Sequence, residues 1–222
     1  MDIIIAADPP TAAREAAQWI ARQLRNAVSR RGAATVAFSG GSTPALMLAA
    51  LTEMEVPWNA TTVFQVDERV APDGDPDRNA ALLDVLRPLC GSIELMGVTD
   101  RDLESARQRY ARLLPERLDI VHLGVGDDGH TASWPPGDPV IDDVGVVAIS
   151  GEYKGRVRMT MTVPTVNAAR RRIVLATGAA KAPIMQRWLL HDNALPIDRV
   201  GRANTLIALD AEAAARLPYQ AG

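Results

Sequence analysis

The 222-residue chain has one cysteine, few aromatic residues and no excess of positive charge. The single cysteine, Cys90, excludes an internal disulfide framework and a metal cluster held by several thiolates, so we expect a cytoplasmic protein. With 24 basic and 27 acidic residues the net charge is -3. This balance lacks the positive excess that counterion-release binding to nucleic acid requires, so we expect no nucleic-acid partner.

Long apolar runs are also missing. No stretch of about 18 apolar residues occurs, so we expect no membrane-spanning segment. Residues 1–10 lack a basic start and contain only a short apolar run, which is not the pattern of a secretory signal. The hydrophobic (47%) and charged (23%) fractions exclude intrinsic disorder, and a chain of this length can bury its own core. We expect a single domain over residues 1–222.

Helical and strand patterns alternate along most of the chain. Apolar residues at helical spacing predict helices over residues 11–31, 44–54, 75–89, 102–114, 181–190 and 210–217. Thr11 is expected to cap the first helix and Gly32 to end it. Short apolar runs predict strands over residues 34–38, 61–66, 93–96, 118–123, 172–177 and 205–209. This alternation predicts an α/β fold with a mostly parallel, doubly wound sheet. A strand pair at residues 144–149 and 157–163 predicts a small antiparallel insertion.

Ligands of open α/β sheets bind beyond the carboxyl ends of the strands, so the residues that follow each strand are candidates for a site. The first candidate is Ser39–Pro44, which reads Ser-Gly-Gly-Ser-Thr-Pro. It combines close backbone approach, hydroxyl groups and a helix N-terminus, which predicts an anion site, most simply for phosphate. An ordinary strand–helix turn is the alternative. The candidate binding residues are Gly40, Gly41, Ser42 and Thr43.

Charged residues mark three further segments. Asp67–Arg69 follows a strand and either orients a polar ligand or forms a solvated loop. Arg158 shares a strand face with two threonines, and that face is either ligand-facing or half exposed. Lys181 lies near a helix start, where its charge opposes the helix dipole but favours a bound anion. The run Arg170–Arg172 is interpreted as a solvated face.

A glycine-rich turn carries a histidine. Gly124–Ser133 reads Gly-Val-Gly-Asp-Asp-Gly-His-Thr-Ala-Ser. Histidine titrates near neutral pH, so His130 is the candidate general base, whereas His122 lies amid apolar residues and is expected in the core. A nicotinamide cofactor is discounted, because no acidic residue ends a following strand about 20 residues on. The third histidine, His191, lies near a helix end, so we expect no metal site.

Taken in order, the segments resemble the glucosamine-6-phosphate isomerase/6-phosphogluconolactonase family. The matching pieces are Phe38–Pro44, Asp67–Arg69, Leu123–Ser133, Arg158–Thr162 and Gly178–Ala182. The resemblance implies a modified Rossmann fold. It also implies hydrolysis of 6-phospho-D-glucono-1,5-lactone to 6-phospho-D-gluconate in the pentose phosphate pathway, a reaction for which no cofactor is expected. The deaminase branch typically has tyrosine in place of Arg69 and glutamate in place of Pro135. A non-catalytic sugar-phosphate sensor is disfavoured, because the chain has no room for the helix-turn-helix of such regulators.

The resemblance also implies catalytic roles. His130 would take a proton from the water that attacks the lactone carbonyl, and Asp128 would orient it. Gly126 and Gly129 would allow the bend that brings these two side chains together and would offer N–H groups to the oxyanion. Arg69 would hold the carbonyl oxygen or a sugar hydroxyl.

The remaining candidates concern substrate binding. The phosphate is expected against Gly40–Thr43, with charge from Lys181 and Arg158, and Asp67 is expected to orient the sugar. The segment Trp134–Pro136 departs from the Leu-Phe-Pro that is usual in the family, which predicts an altered pocket. We expect a monomer or a weak homo-oligomer.

Overall fold

A computed structural model describes residues 1–217, which contain ten strands in two sheets. The strands are β1 (Asp2–Ala6), β2 (Ala34–Phe38), β3 (Thr61–Gln65), β4 (Asp67–Arg69), β5 (Ser92–Glu94), β6 (Ile120–Leu123), β7 (Val147–Tyr153), β8 (Arg156–Met161), β9 (Arg171–Ala176) and β10 (Thr205–Asp210). Seven strands form a parallel sheet in the order β1-β10-β9-β6-β2-β3-β5. The predicted parallel α/β sheet is confirmed.

Six α-helices lie within the described residues. They are α1 (Pro9–Arg31), α2 (Ser42–Thr52), α3 (Ala80–Leu83), α4 (Leu103–Leu113), α5 (Val163–Ala168) and α6 (Ala182–Leu189). Successive residues of a strand point to opposite faces, and in β2 Val36 joins one apolar core while Ala37 joins the other. The first core holds α1 and α2, and the second holds α4 to α6, so helices cover both faces as predicted. No helix in residues 1–217 is long and apolar enough to cross a membrane.

The small antiparallel sheet is larger than the predicted strand pair. Its order is β4-β8-β7, so the charged segment Asp67–Arg69 is a strand and not a solvated loop. β7 and β8 form a hairpin joined by a tight turn at Lys154 and Gly155. This hairpin leans over the carboxyl ends of the parallel strands, since residues from β4, from β8 and from the hairpin turn line the same cavity as residues that follow β2 and β6.

Two of the predicted helices are wrong. The helix expected over residues 75–89 shrinks to α3 and a 3-10 turn at Asp84–Leu86, because the preceding loop folds onto the buried carboxylate of Glu68. The closing helix expected over residues 210–217 is a series of turns. There Asp210 ends β10, and its carboxylate accepts N–H groups from Gly178 and Ala213.

Helix ends follow capping chemistry that the sequence only partly revealed. Asp8, and not Thr11, caps α1, and its carboxylate accepts the N–H of Thr11 at 2.8 Å. Gly32 ends α1 in the left-handed conformation, as predicted. The short helix α5 was not predicted, because six residues give too little apolar periodicity to detect.

His122 is in the core, as predicted, and it predicts a pH-dependent stability. The side chain is fully buried, and neither ring nitrogen has a hydrogen-bond partner within residues 1–217. Burial lowers the pKa of His122 to about 3, well below the 6.5 of the free side chain. Below about pH 6, His122 is therefore protonated in the unfolded chain but not in the folded chain. Between about pH 6 and pH 4.5 this residue should lower the free energy of unfolding by roughly 1.4 kcal/mol per pH unit.

The control is His122→Leu, which replaces the titratable ring with an apolar side chain of similar size. Chemical denaturation at both pH values should show a smaller loss of unfolding free energy in the variant than in the wild type. Parallel losses in the two proteins would contradict the assignment.

Candidate active site

A cavity of about 240 Å³ opens at the carboxyl ends of β2, β3, β6 and β9. Most of the residues predicted from sequence line it, namely Gly40, Gly41, Ser42, Thr43, Asp67, Arg69, Gly126, His130, Arg158 and Lys181. Asp128 and Gly129 are not among the lining residues, and Asp128 contacts the cavity only through His130. The topology thus brings together residues as far apart in sequence as Gly40 and Lys181.

The glycine loop, residues 39–44, forms one wall. A Cβ atom on Gly40 would lie 1.7 Å from Oδ1 of Asn79, so only glycine lets the loop pack on that side chain. No side chain caps the N-terminus of α2, whose first residues line the cavity. Thr43 and Thr177 share a hydroxyl–hydroxyl hydrogen bond of 2.8 Å, which ties the loop to the end of β9. The wall therefore offers backbone N–H groups and hydroxyls to an anion.

His130 and Asp128 meet although they are two residues apart. Nδ1 of His130 lies 2.5 Å from Oδ1 of Asp128, and the backbone N–H of His130 also donates to that oxygen at 3.2 Å. The bend depends on Gly126, where an added Cβ would lie 2.0 Å from Nδ1. The expected convergence of histidine and carboxylate is therefore present.

The expected use of glycine N–H groups for an oxyanion is wrong. The N–H of Gly126 donates to the carbonyl of His130 at 2.8 Å, and the N–H of Gly129 donates to the carbonyl of Gly126 at 3.0 Å. Both donors are consumed by the turn itself. Gly129 packs under Leu195, to which an added Cβ would come within 2.9 Å, so its place in the structure is in the turn and not in the cavity.

The electrostatics of the turn fix the proton on one histidine nitrogen. Burial raises the pKa of Asp128, but hydrogen bonds from Tyr153 and His130 outweigh it and lower this pKa to about 2. An ionised carboxylate only accepts, so in the neutral imidazole Nδ1 carries the proton and Nε2 has the lone pair. Nε2 has no hydrogen-bond partner within residues 1–217, and His130 lines the cavity. The arrangement presents a free basic nitrogen to a ligand.

Tyr153, at the end of β7, is a site residue that sequence reasoning missed. Its hydroxyl donates to Oδ2 of Asp128, and its ring meets the His130 ring edge-on at 5.3 Å between centroids. Burial and the Asp128 carboxylate raise the pKa of Tyr153 to about 12, so it stays a donor at neutral pH. The Arg158 guanidinium carbon lies over the Tyr153 ring, 5.1 Å from its centroid. Tyr153 reaches His130 only through the geometry of the β7–β8 hairpin. No local sequence motif predicts this contact.

Two arginines form a positively charged wall. Arg69 and Arg158 are direct cross-strand partners in β4 and β8, an arrangement that is unfavourable for like charges. Burial and the neighbouring Arg69 lower the pKa of Arg158, against the opposing effect of Asp67. Arg69 donates to Oδ1 of Asn79 at 2.8 Å. The Nε atoms of both arginines are buried and have no partner within the described residues. Nη2 of Arg69 and Nη1 of Arg158 also make no hydrogen bond there, so each guanidinium keeps an unused donor.

The two acidic residues of the segment Asp67–Arg69 have different roles. Glu68 is fully buried, pairs with Arg78 at 3.1 Å and accepts N–H groups from the start of α3, so it holds the loop and does not face the cavity. Asp67 lines the cavity and accepts the hydroxyl of Ser133 at 2.8 Å. The segment therefore supplies both structure and site.

The chain contains only two lysines, and both line the cavity. Lys181 forms an ion pair with Asp127 in the histidine turn, and Lys154 lies 5.1 Å from the Tyr153 ring. Together with the arginine wall they surround the cavity with positive charge. Within residues 1–217 no three histidine, cysteine or acidic side chains are arranged to hold a metal ion.

The segment Trp134–Pro136 lies outside the cavity lining. Trp134 is fully buried and donates its Nε1–H to the carbonyl of Met161 at 2.8 Å. The segment anchors the histidine turn to the small sheet.

The fold and the site define an α/β protein with an anion-binding loop beside a histidine–carboxylate pair. A family model described as glucosamine-6-phosphate isomerases/6-phosphogluconolactonase matches residues 7–208. A 6-phosphogluconolactonase of Streptomyces coelicolor is 31% identical over 97% of this chain and 94% of its own length. One of Synechocystis is 33% identical over 73% of this chain and 74% of its own. The chain belongs to the glucosamine-6-phosphate isomerase/6-phosphogluconolactonase family.

Solved structures agree on the fold. The 6-phosphogluconolactonase from Trypanosoma brucei has a TM-score of 0.83 at 26% identity, over 97% of this chain and 98% of that one. A monomeric glucosamine-6-phosphate deaminase also has a TM-score of 0.83, at 18% identity, over 97% of this chain and 100% of that one. Backbone likeness alone therefore does not separate the two activities, and the site residues must.

The bend at Gly126 generates a prediction. Gly126→Ala should push the His130 ring off Asp128, because the new methyl would overlap Nδ1. In NMR spectra, the nuclear Overhauser contacts between the His130 and Tyr153 rings should disappear while the rest of the spectrum stays folded. Gly124→Ala is the control, since its added Cβ meets no atom within 4 Å. Ring contacts retained in Gly126→Ala would mean that the turn tolerates a side chain there.

Proposed function

We propose that the protein hydrolyses 6-phospho-D-glucono-1,5-lactone to 6-phospho-D-gluconate. The observation that carries the proposal is the free Nε2 of His130 in a cavity whose other walls bind anions. Sequence relatives over most of the chain are 6-phosphogluconolactonases, which supports the same reaction. Hydrolysis of a lactone needs an activated water and a partner for the oxyanion, and the cavity offers both.

The phosphate of the substrate would bind at the glycine loop. The open N-terminus of α2, the hydroxyls of Ser42 and Thr43, and the ammonium of Lys181 lie at this end of the cavity. The phosphate would replace Asp127, whose side chain is exposed, as the ionic partner of Lys181. Phosphate binding orients the sugar and does not take part in the chemical step.

The lactone carbonyl would lie between His130 and the arginine wall. Nε2 of His130 takes a proton from water as the water oxygen bonds to C1, and the carbonyl oxygen becomes an alkoxide. Arg69 is the proposed partner of that alkoxide, with Arg158 beside it, because both arginines line the cavity and each keeps an unused Nη donor. The alkoxide then re-forms the carbonyl, the bond from C1 to the ring oxygen breaks, and His130 returns the proton to that oxygen.

Asp128 and Tyr153 would act through His130. The carboxylate stabilises the imidazolium that forms during the reaction, and Tyr153 holds the carboxylate from its other oxygen. We further propose that residues 1–222 act as one catalytic domain in the cytoplasm, without a metal ion or organic cofactor.

Deamination of glucosamine 6-phosphate is the competing function within the family. It requires ring opening and proton movement between carbons, so it needs more than one proton-transferring group. Position 135 holds a proline, and Arg69 stays charged at working pH and moves no proton. The residues present support the lactonase better.

One preparation tests both functions. The protein should hydrolyse fresh 6-phosphogluconolactone faster than the spontaneous rate. Coupling to NADP-dependent 6-phosphogluconate dehydrogenase measures this rate. The same preparation should release no ammonia from glucosamine 6-phosphate. Ammonia release at a rate comparable to lactone hydrolysis, or no acceleration of hydrolysis, would overturn the proposal.

His130→Ala should lower kcat by about 10²- to 10⁴-fold with a small effect on KM, because a general base acts in the transition state. The matched control is His191→Asn, which removes an exposed histidine with a left-handed backbone that asparagine tolerates. Steady-state kinetics should show near-wild-type kcat for the control. A His130→Ala variant with an unchanged kcat would show that His130 is not the base.

Lys181→Ala should raise KM for the phosphorylated lactone and leave kcat nearly unchanged, because a phosphate contact is made in both ground and transition states. With glucono-1,5-lactone, which has no phosphate, the variant and the wild type should behave alike. An equal penalty on both substrates would place Lys181 away from the phosphate.

A further inference from the structure

A second cavity lies at the opposite edge of the parallel sheet, at the amino ends of β6, β9 and β10. Its volume is about 250 Å³, and it is lined by the C-terminal half of α1 and by the residues that precede these strands. Five arginines line it, namely Arg30, Arg31, Arg117, Arg170 and Arg171. The proposed lactonase mechanism uses none of them.

The charge of this arginine cavity is far from balanced. Asp119 is the one acidic residue among those that line it. Arg30 and Arg171 make no side-chain hydrogen bond or ion pair within residues 1–217. The whole chain has a net charge of -3, so this local excess of positive charge is unusual for it. A bound anion would reduce the repulsion among the guanidinium groups.

Asp119 organises the arginines and leaves their outer faces free. Its side chain is about 10% exposed, and one carboxylate oxygen pairs with Arg31 at 2.5 Å and with Arg170 at 3.3 Å. The other oxygen accepts the backbone N–H and the hydroxyl of Thr35. A buried acid at the floor therefore fixes two guanidinium groups, which lowers the entropic cost of binding an anion above them.

The run Arg170–Arg172 has two separate roles in the structure. Arg172 is buried and donates to several backbone carbonyls, so it is structural. Arg170 and Arg171 are exposed, as the interpretation of the run as a solvated face predicted, and they line the arginine cavity. That interpretation is wrong for Arg172 alone. Amide side chains from Gln23, Asn26 and Asn204 complete the lining and can bind hydroxyl or ester oxygens.

We propose that the arginine cavity binds a small anion that carries two phosphate groups. Guanidinium groups bind phosphate through two parallel hydrogen bonds, and five of them around one carboxylate exceed what a single phosphate would neutralise. The volume is close to that of the proposed active site, which suits a molecule the size of a sugar phosphate. The two cavities lie at opposite ends of β9, whose six residues span roughly 20 Å, so one small ligand cannot occupy both.

Isothermal titration of the full chain tests the proposal at low and matched ionic strength. Inorganic pyrophosphate and fructose 1,6-bisphosphate are the probes, because they separate a free diphosphate from a bisphosphorylated sugar. At least one should bind saturably at one site, and inorganic phosphate should bind more weakly. No saturable binding of either probe would overturn the proposal.

Two variants locate the binding. Arg30→Ala/Arg171→Ala removes two exposed cavity arginines and should weaken binding by about tenfold or more while leaving lactone hydrolysis unchanged. Arg22→Ala/Arg101→Ala removes the same charge from exposed positions outside the cavity and should leave binding intact. Lys181→Ala should also leave it intact. Equal weakening in both double variants would mean general charge attraction, and loss in Lys181→Ala would place the ligand in the active site; either result contradicts the proposal.

Discussion

The hydrogen bond between Nδ1 of His130 and the carboxylate of Asp128 is the interaction on which the proposed chemistry depends. At 2.5 Å it links two side chains that a regular backbone would point apart, and it decides which ring nitrogen is left as a base. Several other features serve this bond. Gly126 leaves room for the ring, Tyr153 holds the second carboxylate oxygen, and Trp134 anchors the turn to the small sheet.

The small antiparallel sheet connects this bond to substrate binding. It brings Tyr153 to the histidine, and it places Arg69 and Arg158 side by side on the cavity wall. Two like charges on facing strands lower stability in the free protein. The nearby carboxylate of Asp67 opposes part of that repulsion. The site therefore accepts an unfavourable charge arrangement that a bound anion would relieve.

Much of the fold could be predicted from sequence, because buried parallel strands are short apolar runs and α1 has a long amphipathic pattern. The glycine loop and the histidine turn were found because their functional residues are consecutive. Tyr153 and Asn79 were missed, since their contacts with Asp128 and Gly40 depend on tertiary packing. The predicted helix over residues 75–89 failed for a related reason. A buried acid, Glu68, supplies hydrogen bonds that compete with local helix propensity.

Replacement of Asp128 by asparagine tests the central bond most directly, since the side chain keeps its shape and loses its charge. We expect kcat for lactone hydrolysis in Asp128→Asn to fall by about 10²-fold or more while KM changes little, because the imidazolium that forms in the reaction loses its negatively charged partner. The neighbouring Asp127→Asn, which touches Lys181 and not His130, should keep kcat and alter KM. If Asp128→Asn keeps its kcat, or if Asp127→Asn loses as much, the histidine–carboxylate pair is not the base of this enzyme.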